Sequence, residues 1–336
     1  RQLGMKKPRE ICAAIGALVR APALCIAFFS ALAFVGFICW PIELFAHFRV
    51  QYAVLLAMAI PYLLYLEYSR LNRLYLASCI VALIANIAVV AFASISFSTT
   101  SNQTQAGATP LSLLQFNVNS SNTNYPKFDK LIERTKPDIV CVEEVSEGWR
   151  EHFEKLKSIY PYQSVRARTD NFGIAILSKY KIVHESREPI GIAGVPTIFV
   201  DIFLPAKSQP TESGKKLIQV IATHPPPPVD SNCTNMRDIQ MHEIAKRIAQ
   251  SQKLTILAGD FNCTPWCNIF TDFVKESGLL DSRLNKGIQP TWPTMLPYMV
   301  IPIDHIFISP TIKCTERSVE EDSGSDHSPV FAKFAI

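Results

Sequence analysis

Apolar and polar positions divide the 336-residue chain into two unlike parts. Before residue 100 the apolar residues run in long windows. Ala21–Trp40 is twenty residues without a charge, Leu74–Phe97 is twenty-four with Asn86 as its strongly polar residue, and Val50–Leu66 is seventeen, with Pro61 inside and Gln51 near one end. A helix needs about twenty apolar residues to cross roughly 30 Å of hydrocarbon. The windows therefore read as about three transmembrane helices (about 21–40, 50–66 and 74–97) in an N-terminal membrane region, 1–97. A cleaved signal peptide fits poorly, because its apolar part is about 7–15 residues and soluble sequence follows it. Ser98–Pro110 (STTSNQTQAGATP) is small, polar and ends in a breaker, which reads as a linker spanning 98–110. The chain opens on Arg1, and Met5 is a candidate start.

From 111 to 336 the apolar runs are short and alternate with amphipathic stretches. Leu111–Val118, Asp138–Val145, Phe172–Ser178, Thr197–Leu204, Leu217–Thr223, Leu254–Ala258, Ile303–Ile308 and Pro329–Ile336 read as strands. Tyr125–Thr135 and Asn235–Ser251 carry helical spacing. Many strands in mixed order with helices argue an α/β or α+β core of sheets covered by helices.

Charge sharpens the division. The formal net charge is +4, but residues 1–100 hold 8 Lys+Arg against 3 Asp+Glu, so 101–336 are left at −1. The basic excess thus speaks about membrane orientation, not about a nucleic-acid-binding surface. Lys6, Lys7, Arg9 and Arg20 precede the first window, Arg70 and Arg73 lie between the second and third, and the connection Pro41–Arg49 has one Glu and one Arg. The positive-inside rule places the N-terminus and the Arg70/Arg73 turn in the cytoplasm. Three crossings put everything after Phe97 on the outer, periplasmic or extracellular, side. Trp40, Tyr62, Tyr65, Tyr68 and Tyr75 near the window ends suit interfacial belts.

Nearly every strand in the second part ends in a polar residue able to meet a metal or a phosphate. Asn117 follows LLQF, Glu143 and Glu144 follow DIVCV, His224 follows VIAT, Asp260 and Asn262 belong to TILAGDFN, Asp304 and His305 follow IPI, and Asp326–His327 precede SPV. A single such residue is usually a turn former. Six such strand ends in one domain point instead to a site held by a rigid sheet.

The segments LLQFNV, DIVCVEEV, GIAILSKY, ATHPPPP, RDIQ, LAGDFN, IDHIF and SDHSPV, in this order, resemble the endonuclease/exonuclease/phosphatase superfamily across residues 111–336. Membrane helices ahead of such a domain resemble a bacterial, membrane-anchored branch of it, which implies a bacterial inner membrane. The resemblance implies a DNase-I-like four-layer α/β sandwich that hydrolyses phosphate esters with a divalent metal, Mg²⁺ or possible substitute Mn²⁺. Position by position, it implies that Glu144 binds the metal, that Asn117 lies near it and that Asp326 assists it. Asp260 and Asn262 handle the attacking water and the scissile phosphate, Asp304 orients the catalytic His327, and His224 sits near the phosphate or leaving group.

The chemistry of the residues agrees with that reading. Mg²⁺ takes hard oxygen ligands from one or two carboxylates and keeps several waters. His327 held by Asp304 is one candidate to take the proton of water, and Asp260 is the competing one. Glu143 stands where many members have Gln, either as a further ligand or, the reading carried forward, as a hydrogen-bond partner of a neighbouring strand. Pro225–Pro228 is a cleft wall or an exposed polyproline turn, and Trp292 stacks on substrate or plugs the sandwich edge. Arg237 and Gln240 anchor loops near the site. A Cys263–Cys267 or Cys233–Cys263 disulfide near the site is a candidate, while a zinc site lacks a second ligand pair.

Two functions remain. One is a membrane-anchored phosphoesterase whose partners are the lipid bilayer and a phosphate-ester substrate, a phospholipid headgroup or nucleic acid. The alternative is a catalytically silent binding or signalling module of the same fold, which the completeness of the residue set disfavours.

Overall fold

A computed structural model describes residues 8–65, 70–95, 108–204, 216–321 and 324–336. Met5, Lys6, Lys7, Tyr68, residues 98–107 of the expected linker and the last residues of the second and third windows lie outside them. The chain divides into two compact units, 1–93 and 94–336.

The first unit holds α1 (Pro8–Leu32), a tighter 3-10 stretch Ala33–Ile38, α2 (Trp40–Glu43), a second 3-10 stretch Leu44–Phe48, α3 (Arg49–Tyr65) and α4 (Arg70–Phe92). Its interior is small: Ala23, Leu56, Leu63, Cys79 and Ala82. Larger apolar side chains such as Phe28, Met58, Val81 and Ile84 face outward, as lipid-facing residues do. Leu18–Ile38, Trp40–Tyr65 and Asn72–Phe92 are each long and apolar enough to cross a membrane. The second of these begins at Trp40, not at Val50, because residues 40–48 are themselves helical. Pro41 sits in the first turn of α2, where a missing N–H costs nothing. Polar side chains inside the bundle satisfy one another. Arg49 donates to Asn86 Oδ1 (3.3 Å) and to the Ala33 carbonyl (2.9 Å), and Asn86 Nδ2 donates to Ser30 Oγ (2.8 Å).

In the second unit the elements follow as β1 (Pro110–Asn117), α5 (Tyr125–Thr135), β2 (Ile139–Glu143), α6 (Glu147–Lys155), β3 (Tyr162–Arg166), β4 (Ile174–Ser178), β5 (Ile182–Pro189), β6 (Pro196–Leu204), β7 (Lys216–Thr223), α7 (Ser231–Ser251), β8 (Thr255–Asp260), α8 (Asn268–Ser277), β9 (Leu280–Asp281), β10 (Asp304–Ile308), β11 (Lys313–Val319) and β12 (Val330–Ala335). They form two six-stranded sheets, ordered β11-β12-β1-β2-β4-β3 and β5-β6-β7-β8-β10-β9. β1 runs parallel to β2, and β7 parallel to β8; the other pairs are antiparallel.

Period-two alternation builds the layers. On β1 and β2 the positions Leu111, Leu113, Ile139 and Cys141 enter a core shared with Val200, Val220, Ile256 and Ile306 of the other sheet. The alternate positions Leu114, Phe116, Val140 and Val142 face outward, where Phe128 and Leu131 of α5 and Trp149 and Phe153 of α6 cover them. α7 buries Met241, Ile244, Ala245 and Ile248, and α8 buries Ile269, Phe270 and Phe273, with Phe273 against Phe307 of β10. The result is helix, sheet, sheet, helix: the expected four-layer sandwich.

The foreseen strands stand within a few residues of their expected bounds. α7 begins at Ser231 rather than Asn235 because Asp230 accepts a bond from the Cys233 N–H (2.7 Å) and caps the helix there. β3, β5, β9, β11, α6 and α8 carried no clear signal. β5 is largely exposed and β11 mostly half-buried, so no apolar face marks them; β9 is two residues long.

Trp149 is fully buried against Phe128 (5.3 Å between centroids) and Phe153 (5.8 Å). Trp149→Ala is expected to destabilise the second unit by about 3–5 kcal/mol, a cost typical of truncating a core aromatic. Chemical unfolding followed by near-UV circular dichroism measures it.

Candidate active site

The alternation that builds the core also builds the site. On the inter-sheet face of β1 the sequence runs Leu111, Leu113, Gln115, Asn117, and on β2 it runs Ile139, Cys141, Glu143. β8 contributes Ile256, Ala258, Asp260, and β10 contributes Ile308, Ile306, Asp304. The register pairs Asn117 with Glu143 and Asp304 with Asp260. In each strand the face that is apolar along most of its length turns polar at the same end of the sandwich. Gly259 is needed there, since a Cβ would lie 1.9 Å from the Thr223 carbonyl oxygen.

Asn117 ties the two sheets together. Its Nδ2 donates to Glu144 Oε1 and to Asp260 Oδ2, each at 3.1 Å, while its Oδ1 accepts from the Asn119 N–H (3.0 Å). Glu144 adopts φ +61°, and its Oε2 accepts from the Ser120 N–H (2.9 Å). The positive φ takes Glu144 out of the strand, so that consecutive residues Glu143 and Glu144 do not take opposite faces as a regular strand would force. Asp260 Oδ1 accepts from the Asn262 N–H (2.9 Å).

His327 joins the same cluster from the loop before β12. Its Nδ1 pairs with Asp304 Oδ2 (2.9 Å), and its Nε2 lies 3.6 Å from Asp260 Oδ2. Ser325 Oγ fixes the loop by donating to the Asn117 carbonyl (2.8 Å). Burial alone would lower the His327 pKa. The charges of Asp304 and Asp260 outweigh it and push the imidazole up to about 10. Burial likewise opposes the Asp260 charge, but His327 and His224 hold its carboxyl below the usual range.

The remaining expected residues are placed as follows. His224 Nε2 stands 3.5 Å from Asp260 Oδ2, its ring 5.5 Å from that of Phe172. Against the lowering effect of burial, Asp260 raises its pKa. Asn262, at φ +51°, donates from Nδ2 to the Pro225 carbonyl (3.0 Å), which makes the proline run part of the site's rim. Buried Arg237 reaches the Asn262 carbonyl (3.4 Å), and Gln240 donates to Thr223 Oγ1 (3.1 Å). Asp326 accepts from Asn119 Nδ2 (2.7 Å) and from Trp292 Nε1 (3.0 Å), and the Trp292 ring is 6.3 Å from that of His327. Burial raises the Asp326 pKa, but the Asn119 bond, the His327 charge and the Trp292 bond carry it below the ordinary carboxylate value.

His305, next to Asp304, points the other way. It packs on Phe270 in the helix layer and bonds the Cys263 carbonyl (2.9 Å). Glu143 reaches Gln115 on the neighbouring strand (2.8 Å), as the sequence reading preferred. Cys233, Cys263 and Cys267 form no disulfide with one another; Cys267 Sγ lies 3.1 Å from Thr264 Oγ1. One residue was missed. Gln115 Nε2 donates both to Glu143 Oε2 and to Asp304 Oδ1, each at 2.8 Å. The signal for it was its parity with Asn117 in LLQFN, which puts it on the face that carries the site.

The donor set suits a hard divalent cation. Glu144, Asp260, Asp304 and Asp326 crowd carboxylates around two imidazoles, and Asp260, Asp304 and His327 offer ligand atoms within 4.8 Å of one another. In this arrangement Asn117 presents nitrogen to the carboxylates, so it braces Glu144 and Asp260 and its oxygen is turned away.

The sequence model of the endonuclease/exonuclease/phosphatase family matches residues 114–327. No curated protein matches the chain. Among solved structures, a humanized D. rerio TDP2 is 18% identical with TM-score 0.54, covering 68% of this chain and 99% of its own. An endonuclease/exonuclease/phosphatase family protein from Bacteroides thetaiotaomicron is 18% identical with TM-score 0.52, covering 69% and 99%. A mannosyl-6-phosphatase from the same organism is 18% identical with TM-score 0.50, covering 67% and 100%. At these identities the structures speak for the fold.

A histidine that titrates near 10 when folded and near 6.5 when unfolded stabilises the fold fully below pH 6.5, and that contribution is lost as pH rises toward 10. In chelator-treated protein the thermal midpoint is therefore expected to fall between pH 6.5 and 10, with a shallower fall in His327→Gln. Equal slopes would refute the charge assignment.

Proposed function

The chain belongs to the endonuclease/exonuclease/phosphatase family, whose members hydrolyse phosphate esters, and on that premise we propose that it is a membrane-anchored, Mg²⁺-dependent phosphoesterase of its membrane-anchored bacterial branch. The observation that carries this reading is the His327–Asp304 pair set 3.6 Å from Asp260, at the sandwich end where Asn117 ties Asp260 to Glu144.

Glu144 and Asp326 would hold the ion, with Asn117 bracing Glu144. When bound, a divalent cation neutralises the charge that develops on the phosphoryl oxygens and orients them for in-line attack. Asp260 Oδ2 lies 3.6 Å from His327 Nε2 and 3.5 Å from His224 Nε2; these imidazoles hold the Asp260 pKa down, while the charges of Asp304 and Asp260 hold that of His327 up. We therefore assign Asp260 to orient the attacking water and accept its proton. His327, held by Asp304, donates to a phosphoryl oxygen. Asn262 spends one N–H on the Pro225 carbonyl and keeps the second for the phosphate. His224, whose Nε2 approaches the same Asp260 oxygen, serves the phosphate or the leaving group.

The apolar helices are candidate membrane spans. We infer that residues 1–97 anchor the protein in a bacterial inner membrane, that 98–110 link, and that 111–336 act on the outer side, the orientation that the basic residues before the first and third windows favour. The near-neutral catalytic region, at −1, does not offer the overall cationic surface that a nuclease turns toward phosphates. That supports a phospholipid-type ester over nucleic acid.

His327→Ala is expected to lower hydrolysis of bis(p-nitrophenyl) phosphate by about 10²–10⁴-fold, the range for removing a proton-transfer group, and Glu144→Ala, which removes a ligand for the ion, is expected to lower it as well. Chelation is expected to abolish the activity and Mg²⁺ or Mn²⁺ to restore it. Undiminished turnover in either variant would sink the site assignment.

A further inference from the structure

Residues 287–303 contain no Asp, Glu, Lys or Arg. Within that stretch the tip of one loop stands in solvent with apolar side chains: Met295 is 82% exposed, Leu296 57%, Tyr298 91% and Met299 43%. The loop is built, not loose. At its base Trp292 and Ile301 form a bridge, with the Ile301 N–H donating to the Trp292 carbonyl (2.6 Å). At its tip the Met299 N–H donates to the Leu296 carbonyl (2.8 Å). A contiguous exposed apolar patch on an ordered segment marks a surface that is covered in use.

The same loop is fastened to the candidate site. The Thr294 N–H donates to the Asp326 carbonyl (2.9 Å), Thr294 Oγ1 donates to the Ser325 carbonyl (3.1 Å), and Trp292 Nε1 holds the Asp326 carboxylate. Whatever covers the tip therefore lies beside Asp326 and His327.

Two observations select a lipid surface as that cover. Among the described residues, three helices are long and apolar enough to span a bilayer. Phe92, the last residue of the third, is separated from Pro110 of β1 by 17 residues, which reach at most about 60 Å when extended. Any bilayer those helices span is therefore tethered within that distance of the start of β1. The composition of the tip also fits that boundary: charges are costly there, while Tyr, Leu and Met side chains enter it and Tyr keeps its hydroxyl in the headgroup layer.

We propose that residues 292–299 form a bilayer-docking loop that inserts Met295, Leu296 and Tyr298 at the headgroup–acyl boundary, and that the phosphate ester delivered to the site is borne by a membrane lipid. The second half of this inference rests on the phosphoesterase reading above; the docking itself does not.

Full-chain protein reconstituted into phosphatidylcholine vesicles tests both halves. The tryptophan added by Tyr298→Trp is expected to lose at least half its emission when the lipid is replaced by brominated phosphatidylcholine, relative to wild type treated alike. No such loss would overturn the docking, as would an emission that follows protein density instead of lipid bromination, the mark of contact between copies. In vesicles of polar lipid extract, the triple variant Met295→Ser/Leu296→Ser/Tyr298→Ser is expected to release phosphorylated headgroups at least tenfold more slowly than wild type. It should hydrolyse soluble bis(p-nitrophenyl) phosphate within twofold of wild type. Equal effects on both substrates, or no lipid hydrolysis by wild type, would overturn the lipid assignment. Failure of wild type on both substrates would overturn the phosphoesterase reading, while the quenching result would still decide the docking.

Discussion

Carboxyl groups buried between two sheets are the constraint from which the rest of this site follows. Glu143, Asp260 and Asp304 lie at or below 1% exposure at one end of an aliphatic core. Buried carboxyl groups are costly unless they are neutral, hydrogen-bonded or paired. Each of these is held by a different device. Asp260 takes bonds from Asn117 and the Asn262 backbone, Asp304 takes Gln115 on one oxygen and His327 on the other, and Glu143 takes Gln115 while burial pushes its pKa well above the ordinary value. The donors come from both sheets, so the bonds that satisfy the carboxylates also close that end of the sandwich. Removing any one donor leaves a buried acceptor whose desolvation is no longer offset. The charges that make the site reactive are therefore the ones that fix its geometry.

This arrangement explains how much of the site was legible before the fold was known. Asn117, Asp260 and Asp304 could be read because each interrupts an apolar strand at its end, and their convergence required only that the strand ends share an edge. Gln115 was passed over because a Gln two residues from a strand end looks like an ordinary polar position. Its meaning lies in the parity it shares with Leu113 and Asn117, which became decisive only when the inter-sheet face was identified. His305 shows the converse. It stands beside Asp304 in sequence, yet one step along a strand turns a side chain to the opposite face, and His305 belongs to the α8 layer. Helices α6 and α8 and strands β5 and β11 were silent because short or partly exposed elements carry too little apolar periodicity to stand above their surroundings.

The apolar N-terminal unit follows the opposite logic to the unit that carries the site. Its interior is formed by small residues and a polar set, Arg49, Asn86 and Ser30, while its larger apolar side chains face outward. The second span reads as short in sequence because Glu43, His47 and Arg49 lower the apolar content around residues 40–49. Helical structure there comes from backbone capping and from the Arg49–Asn86 bond between helices, neither of which has a linear signature.

Glu143 is where the chain departs from the common pattern of the family it resembles, and the departure is smaller chemically than it looks in sequence. Burial, followed by the negative charge of Asp304, raises the Glu143 pKa well above the ordinary carboxylate value. A protonated carboxyl group is neutral and carries one donor and one acceptor side, as an amide does. Gln115, on the adjacent strand, donates to Glu143 Oε2 at 2.8 Å. An additional negative charge beside Glu144 would have pulled on any cation and on His327. Gln115 donates to Asp304 as well, which holds Asp304 in register with His327.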